Sequence, residues 1–491
     1  MSVVSSTAPS PTAPPVASPS GPRSWKPRIV PQWDKNPKLV EQAATLEGRL
    51  ALVGLFGLLL FLGLPLTLWA WTMAVLVAAS VLPAWRWNLV TVGTLGTGIY
   101  AAHARFAPGG TALRALATWG TALIAVVLFG VLIFTIAVKW PRSGVMKRPV
   151  LSLNIFFAAL AFAAAVIPLS RNIQLGVQFT LVVLAGYLWY FAYSLQDRLA
   201  SDRATAFHQI GTWAPFWVNA SGGGTPFCKG AAYLRRIEAK TPQELAITQI
   251  KGVKLLMWCL ILQFATVLFI QAAFESPQGL RLPDLDGLIQ TGRFPVWYMC
   301  WASLLANFIQ TVLLMTVTGN MFVACCRMAG FRALRNTYRP FQAASIAEFW
   351  NRYYYYFKEL LVDFFFYPVY IRYFKRHRRV RMFAATLAAA TFGNIIYHFL
   401  RDINLVFTLG PWKAIAGYRV YAVYTLLLGC GIGISQLRKP LTAPNQSWSG
   451  RALASVRVIG FFCLLHIFDY TGRDHSITQH VKFLLHLFSL G

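Results

Sequence analysis

Apolar runs long enough to cross a hydrocarbon core alternate with short basic stretches along most of this chain. They fall at about 50–71, 73–102, 113–139, 150–169, 174–196, 252–274, 296–326, 381–400, 415–437 and 452–470, with a shorter apolar stretch from Ile477 to Leu490 at the end. The second run is interrupted by Pro83, Arg86 and Asn88 and reads as one long or two short crossings. A helix needs about 20 apolar residues to span a bilayer. Inside lipid every backbone N–H and C=O must be paired within the spanning structure, which leaves helices or a closed barrel. The alternating ten-residue segments of a barrel are absent. The pattern predicts an all-α, polytopic integral membrane protein with about ten to twelve transmembrane or re-entrant helices.

Composition agrees. Of 491 residues, 56% are hydrophobic and 12% charged, and the mean hydropathy is +0.52. Soluble domains carry about 25% charged residues. The net charge of +29 comes from 45 Lys and Arg against 16 Asp and Glu. On a membrane protein this reads as positive-inside bias and attraction to anionic headgroups. No nucleic-acid motif accompanies it, so nucleic acid is not an expected partner. The seven cysteines include no CxxC pair, which argues against a disulfide framework or a zinc site.

Residues 1–37 are rich in Pro, Ser, Ala and Thr and read as a disordered, cytosolic tail without a cleavable signal. Residues 38–491 form the polytopic domain. Within it, 197–250 is a polar connector holding the breaker Ser221-Gly222-Gly223-Gly224-Thr225-Pro226 and the basic residues Lys229, Arg235, Arg236 and Lys240. No phosphate-loop spacing is present, so it reads as a cytosolic linker. The 275–295 loop carries Glu275, Asp284 and Asp286, is much less basic than its neighbours, and is placed outside the cytosol.

The stretch from 327 to 405 carries the candidate chemistry. Two basic clusters, Arg327–Arg339 and Arg372–Arg381, flank an aromatic run, Phe349-Trp350-Asn351-Arg352-Tyr353-Tyr354-Tyr355-Tyr356-Phe357. Lys358, Glu359 and Asp363 interrupt an apolar segment, where charges usually pair or line a cavity. Further on, Asn394, His398 and Asp402 repeat at i, i+4 and i+8 on one helix face. A histidine at such depth can accept a proton from an alcohol near neutral pH. It can equally serve as a structural partner of a neighbouring helix.

Taken in order, these residues resemble the membrane-bound O-acyltransferase family, in the bacterial branch that acylates alginate and teichoic acid. The likeness lies in Met321–Arg332, Arg339-Pro340-Phe341, Ser345-Ile346-Ala347-Glu348-Phe349-Trp350-Asn351-Arg352, Phe365–Ile371 and Asn394–His398. It covers about 300–405 well and the tail from Arg457 loosely. The resemblance implies a helical shell around a central tunnel and an acyltransferase, O-acetylation being one such activity, with His398 as general base. No cofactor is bound; acyl-coenzyme A or an acyl carrier thioester is the donor, and a hydroxyl of a surface polymer, lipid or small molecule is the acceptor. Asn394 and Tyr354 are then expected at the reacting centre, with Trp350, Asn351, Arg352, Tyr353 and Asp402 contacting substrate. It further implies a bacterial inner-membrane location and a periplasmic or extracellular partner protein. The chain departs from the family pattern where Tyr354 takes the slot of a second His, Asn or Asp, where Tyr397 replaces a tryptophan, and where no glycine comes after His398. Two other readings stay open: an inactive scaffold of the same fold in a polymer-export complex, and a transporter or flippase.

The expected topology is directly measurable. A cysteine placed in 275–295 should label with a membrane-impermeant thiol reagent applied to intact cells, and one placed in 372–381 should not. The opposite pattern would invert the assignment.

Overall fold

The computed structural model describes residues 29–94, 96, 112–168, 170–199, 209, 212, 225, 229–438, 448–471 and 476–490. The tail up to residue 28 and the glycine cluster at 221–224 lie outside the described residues. The protein is all-α: among the described residues there is no strand, and one isolated antiparallel bridge joins Glu238 to Phe331. Among the described residues, six helices are long and apolar enough to cross a membrane, and up to eight if each of two sharply bent pairs forms one span. Two shorter apolar helices, Ile124–Ala137 and Pro149–Ala164, accompany them. The chain is a multi-pass membrane protein.

The first helices are α1 (Pro37–Ala44), α2 (Leu46–Phe61) and α3 (Leu66–Val81). Thr45 caps α2 through the Gly48 amide, and the chain turns by 98° between α1 and α2. Pro65 divides what reads in sequence as a single run from 50 to 71, and Pro83 bends the next by 117°. Beyond them come α4 (Ala112–Lys139), α5 (Pro149–Val166) and α6 (Arg171–Leu199), which pack together through Phe129, Phe157 and Phe191. The short α7 (Ala231–Ile237) precedes α8 (Pro242–Ile270). The pair most extensively packed is α8 with α10 (Trp297–Met328), separated by α9 (Leu285–Thr291).

After α10 the chain leaves regular structure before α11 (Ile346–Tyr353) and α12 (Tyr355–Leu361), which continues through a π-helical turn, Val362–Phe366, into α13 (Tyr367–Arg372). The antiparallel return is α14 (Arg378–Leu387), a second π turn (Ala388–Gly393) and α15 (Asn394–Arg401). The short α16 (Asn404–Leu409) and α17 (Pro411–Ala416) lead to α18 (Arg419–Leu437), α19 (Trp448–His466) and α20 (Ile477–His486). α20 packs on α9, so the chain's last helix lies on the same side as the 275–295 loop.

Several backbone groups of the irregular segment after α10 are bonded to protein partners. Ala239 N–H donates to the Gly330 carbonyl at 2.9 Å, and Arg332 N–H to the Ile237 carbonyl at 2.7 Å. The Asn320 side chain on α10 accepts from the amides of Asn336 and Thr337 at 3.1 and 3.3 Å and donates to the Thr337 carbonyl at 3.1 Å. Gly319 makes this approach possible, since a Cβ there would lie 2.1 Å from Asn336 Nδ2. Arg86 adds a buried ion pair, 3.0 Å from Glu238, whose other oxygen accepts from the Trp87 indole at 3.0 Å. Gly330, at φ +96°, leaves room for the Arg86 guanidinium.

Removing one partner of a buried ion pair costs about 3–5 kcal/mol. Arg86→Ala should therefore lower the thermal midpoint of the detergent-solubilised protein strongly, whereas Arg332→Ala, whose partner Glu244 is solvent-accessible, should change it little. Equal midpoints for the two variants would show that Glu238 finds another partner.

Candidate functional site

The second π turn leads directly into α15, which carries Asn394 and His398. Val362–Phe366 and Ala388–Gly393 pack on each other, and a Cβ on Gly393 would fall 2.7 Å from the Phe365 ring. A π turn inserts an extra residue into a helix and rotates the turns beyond it. Here the rotated element is α15.

α15 turns Asn394 and His398 toward α18. Asn394 is buried, and its side-chain oxygen accepts from the Tyr421 hydroxyl at 2.9 Å. The His398 ring stands edge-on to Tyr421, with centroids 4.9 Å apart, and contacts Tyr397 at 5.1 Å and Phe357 at 5.8 Å. His398 Nδ1 is buried without a hydrogen-bond partner among the described residues. Buried polar atoms are paired in the great majority of cases, so an orphan asks for an explanation.

Asp402 lies past the end of α15 and is not bonded to the ring. Its two oxygens take Arg401 at 2.7 Å each, one of them also accepting from the Tyr418 hydroxyl at 2.8 Å. The same hydroxyl oxygen lies 2.7 Å from the His398 carbonyl, so its single proton is shared between that carbonyl and Asp402, which links Asp402 to the His398 backbone through Tyr418.

Tyr354 sits at the kink between α11 and α12, at φ −141° and ψ 78°. Its hydroxyl donates to Thr225 Oγ1 at 3.3 Å, and the Tyr397 hydroxyl lies 2.5 Å from the same oxygen. Phe357 stands between Tyr354 and His398, 5.7 Å from one ring and 5.8 Å from the other. Trp350 meets Phe357 edge-on at 6.1 Å, and Tyr353 packs on Phe349 at 5.4 Å. Arg352 turns away, pairing with Glu348 at 2.5 Å and donating to the Arg339 carbonyl at 3.3 Å. Asn351 lines a separate crevice of about 120 Å³ with Trp350 and Lys358. His398, Asn394, Tyr354 and Trp350 thus share one aromatic neighbourhood. Tyr353 borders it, while Asn351, Arg352 and Asp402 serve other partners.

Several members of this neighbourhood were not singled out by sequence reasoning. Tyr418, Tyr421 and Tyr424 lie in what reads as an ordinary apolar run, and their three-residue spacing is the signal that marks one face. His466 Nδ1 lies 3.6 Å from Asp469.

Lys358, Glu359 and Asp363, the charges within the apolar part of the 355–372 rod, are paired, as such charges usually are. Lys229 Nζ binds Glu359 at 2.8 Å and Asp363 at 3.0 Å, Lys358 binds Glu359 at 2.5 Å, and the Tyr193 hydroxyl donates to Asp363 at 3.0 Å. No protein-family model and no curated protein matches the chain.

Lys229→Met would leave Asp363 without a cation and should destabilise the protein by about 3–5 kcal/mol. Adding Asp363→Asn should return most of the lost thermal midpoint. A double variant as unstable as Lys229→Met alone would show that the pairing is not what Lys229 contributes.

Proposed function

We propose that the chain is a membrane-bound acyltransferase, moving an acyl group from a thioester donor to a hydroxyl, with His398 as general base. The observation that carries this reading is the buried, unpartnered Nδ1 of His398, whose ring packs among aromatic side chains on Tyr421, the partner of Asn394. A base in a water-poor site whose ring is held by packing, and not by a hydrogen bond at Nδ1, keeps that nitrogen available to an incoming group. The sequence resemblance supplies the reaction class.

In the proposed reaction, the acceptor hydroxyl gives its proton to His398 as its oxygen attacks the thioester carbonyl. The C–O bond forms, the C–S bond breaks, and the proton passes to the leaving thiolate. Asn394 is the better placed oxyanion donor: Tyr421 occupies its carbonyl oxygen, which leaves its NH₂ to donate. The Tyr354 hydroxyl donates to Thr225 at rest and must leave it to serve the same purpose. On this reading the protein lies in a bacterial inner membrane with its tail in the cytosol. The donor, coenzyme A or a carrier protein, approaches the basic clusters at Arg327–Arg339 and Arg372–Arg381. The acceptor, with any partner protein that presents it, arrives from the opposite face.

A second reading, transport of a lipid-linked or small acidic molecule, draws on the interrupted helices and the interior Lys229–Glu359–Asp363 cluster. Flux into proteoliposomes without any acyl donor would favour it.

The decisive comparison uses membranes carrying wild type or His398→Ala with labelled acyl-coenzyme A. Wild type should transfer label to a hydroxyl product, and the variant should be slower by roughly 10²–10⁴-fold at equal membrane level and thermal midpoint. Retained transfer in the variant would remove His398 from the reaction. Tyr354→Phe should slow transfer if its hydroxyl serves the oxyanion, and an unchanged rate would assign it to packing on Thr225.

A further inference from the structure

A cavity of about 1150 Å³ opens on the face of α15 opposite His398. Ile395, Ile396 and Phe399 form its wall on that side, while α5, α6 and the α12–α13 rod supply the others. His398 is not in the lining. The cavity is therefore distinct from the space around the His398 ring, with Tyr418 bordering both.

Its lining is mostly apolar, with Phe157, Phe162 and Phe364 among its walls, beside four carboxamide side chains, Gln174 and Gln178 among them. Lys147 and Arg148, just before α5, and Arg372, the last residue of α13, also belong to its lining. These three cations are exposed, and none is paired with a carboxylate among the described residues. The carboxylate of the lining, Asp363, is already bonded by Lys229 and Tyr193. Uncompensated positive charge in the lining of a mostly apolar chamber matches a molecule with an anionic head and a hydrocarbon body. Basic pockets between membrane helices bind anionic headgroups for this reason.

We propose that this cavity binds an anionic phospholipid from the leaflet on the basic side, with its phosphate among Lys147, Arg148 and Arg372 and an acyl chain along the apolar wall. A zwitterionic lipid carries a cationic amine toward the same three side chains and binds less well. The site does not depend on acyl transfer, because α15 stands between it and His398.

The test is native mass spectrometry of the full chain, extracted from vesicles of equal parts phosphatidylglycerol and phosphatidylcholine. Wild type should retain phosphatidylglycerol over phosphatidylcholine by at least about tenfold. Lys147→Gln/Arg148→Gln/Arg372→Gln should lose that preference, and because these residues are exposed the variant should fold. Ala161→Trp, which fills the chamber, should reduce retention of both lipids while leaving the surface charge intact; Ala158→Phe is a smaller obstruction with the same expected sign. Equal retention of the two lipids by wild type would overturn the proposal, and so would a preference that survives the triple substitution. Inorganic phosphate separates headgroup from free anion. Phosphate that binds alone and responds to the triple substitution, with lipid retention untouched by both chamber-filling variants, would assign the cations to a free anion and also overturn the lipid site.

Discussion

The side-chain amide of Asn320 is the contact on which the interior of this protein depends. A non-helical segment inside a membrane protein is tolerated only where protein groups satisfy its backbone, since lipid offers no hydrogen bonds. After α10 the chain runs unwound back toward the bundle, and Asn320 takes both neighbouring amides and one carbonyl of that return at Asn336 and Thr337. From there the bonding continues to the next element: Tyr355 N–H reaches the Asn336 carbonyl at 2.9 Å, Tyr338 N–H the Arg352 carbonyl at 2.9 Å, and the Thr337 hydroxyl the Tyr353 carbonyl at 2.6 Å. These bonds fix where α11 stops and α12 starts, and so where Tyr354 points. Without them the kink at Tyr354 would have no reason to persist, and the rod that carries Phe357 toward His398 would have no fixed origin.

The legible part of the fold was the part that hydropathy reports. Long runs such as 296–326 and 415–437 are helices close to where the pattern puts them, as α10 and α18. Hydropathy is a property of a window and carries no direction, so it could not show the break at Pro65 or the 98° turn at Thr45. For the candidate site, i,i+4 spacing put Asn394 and His398 on one face, and both face Tyr421. The same periodicity carried over to Asp402 fails to describe it, because the helix ends at Arg401 and the carboxylate turns to the adjacent guanidinium. The partnership of Thr225 with Tyr354 and Tyr397, and of Lys229 with Glu359 and Asp363, joins a loop to elements more than a hundred residues away. No local pattern encodes such pairs; they arise from how the whole bundle closes.

The two faces of α15 show how one short helix can separate two environments. Its residues are spaced at about 100°, so Asn394 and His398 meet the tyrosines of α18 while Ile395, Ile396 and Phe399 meet the apolar cavity. The π turn just before it sets that rotation. An ordinary α-helical turn in place of Ala388–Gly393 would swing the imidazole off α18, and Gly393 would no longer stand at the close approach to Phe365.

The charges around His398 lead to the same view of the site. Asp402 is held by Arg401, Asp469 lies beside His466, and Glu359 and Asp363 are held by Lys229. Asp402, Glu359 and Asp363 are thus each bonded to a cation and not to the imidazole. The ring is held instead by Tyr421, Tyr397 and Phe357, through contacts that fix its position and use none of its hydrogen-bonding capacity at Nδ1. A structural histidine would normally be tied down through its nitrogens. Here packing fixes the ring while Nδ1 stays buried and unpartnered, and that combination is what the proposed role of His398 rests on.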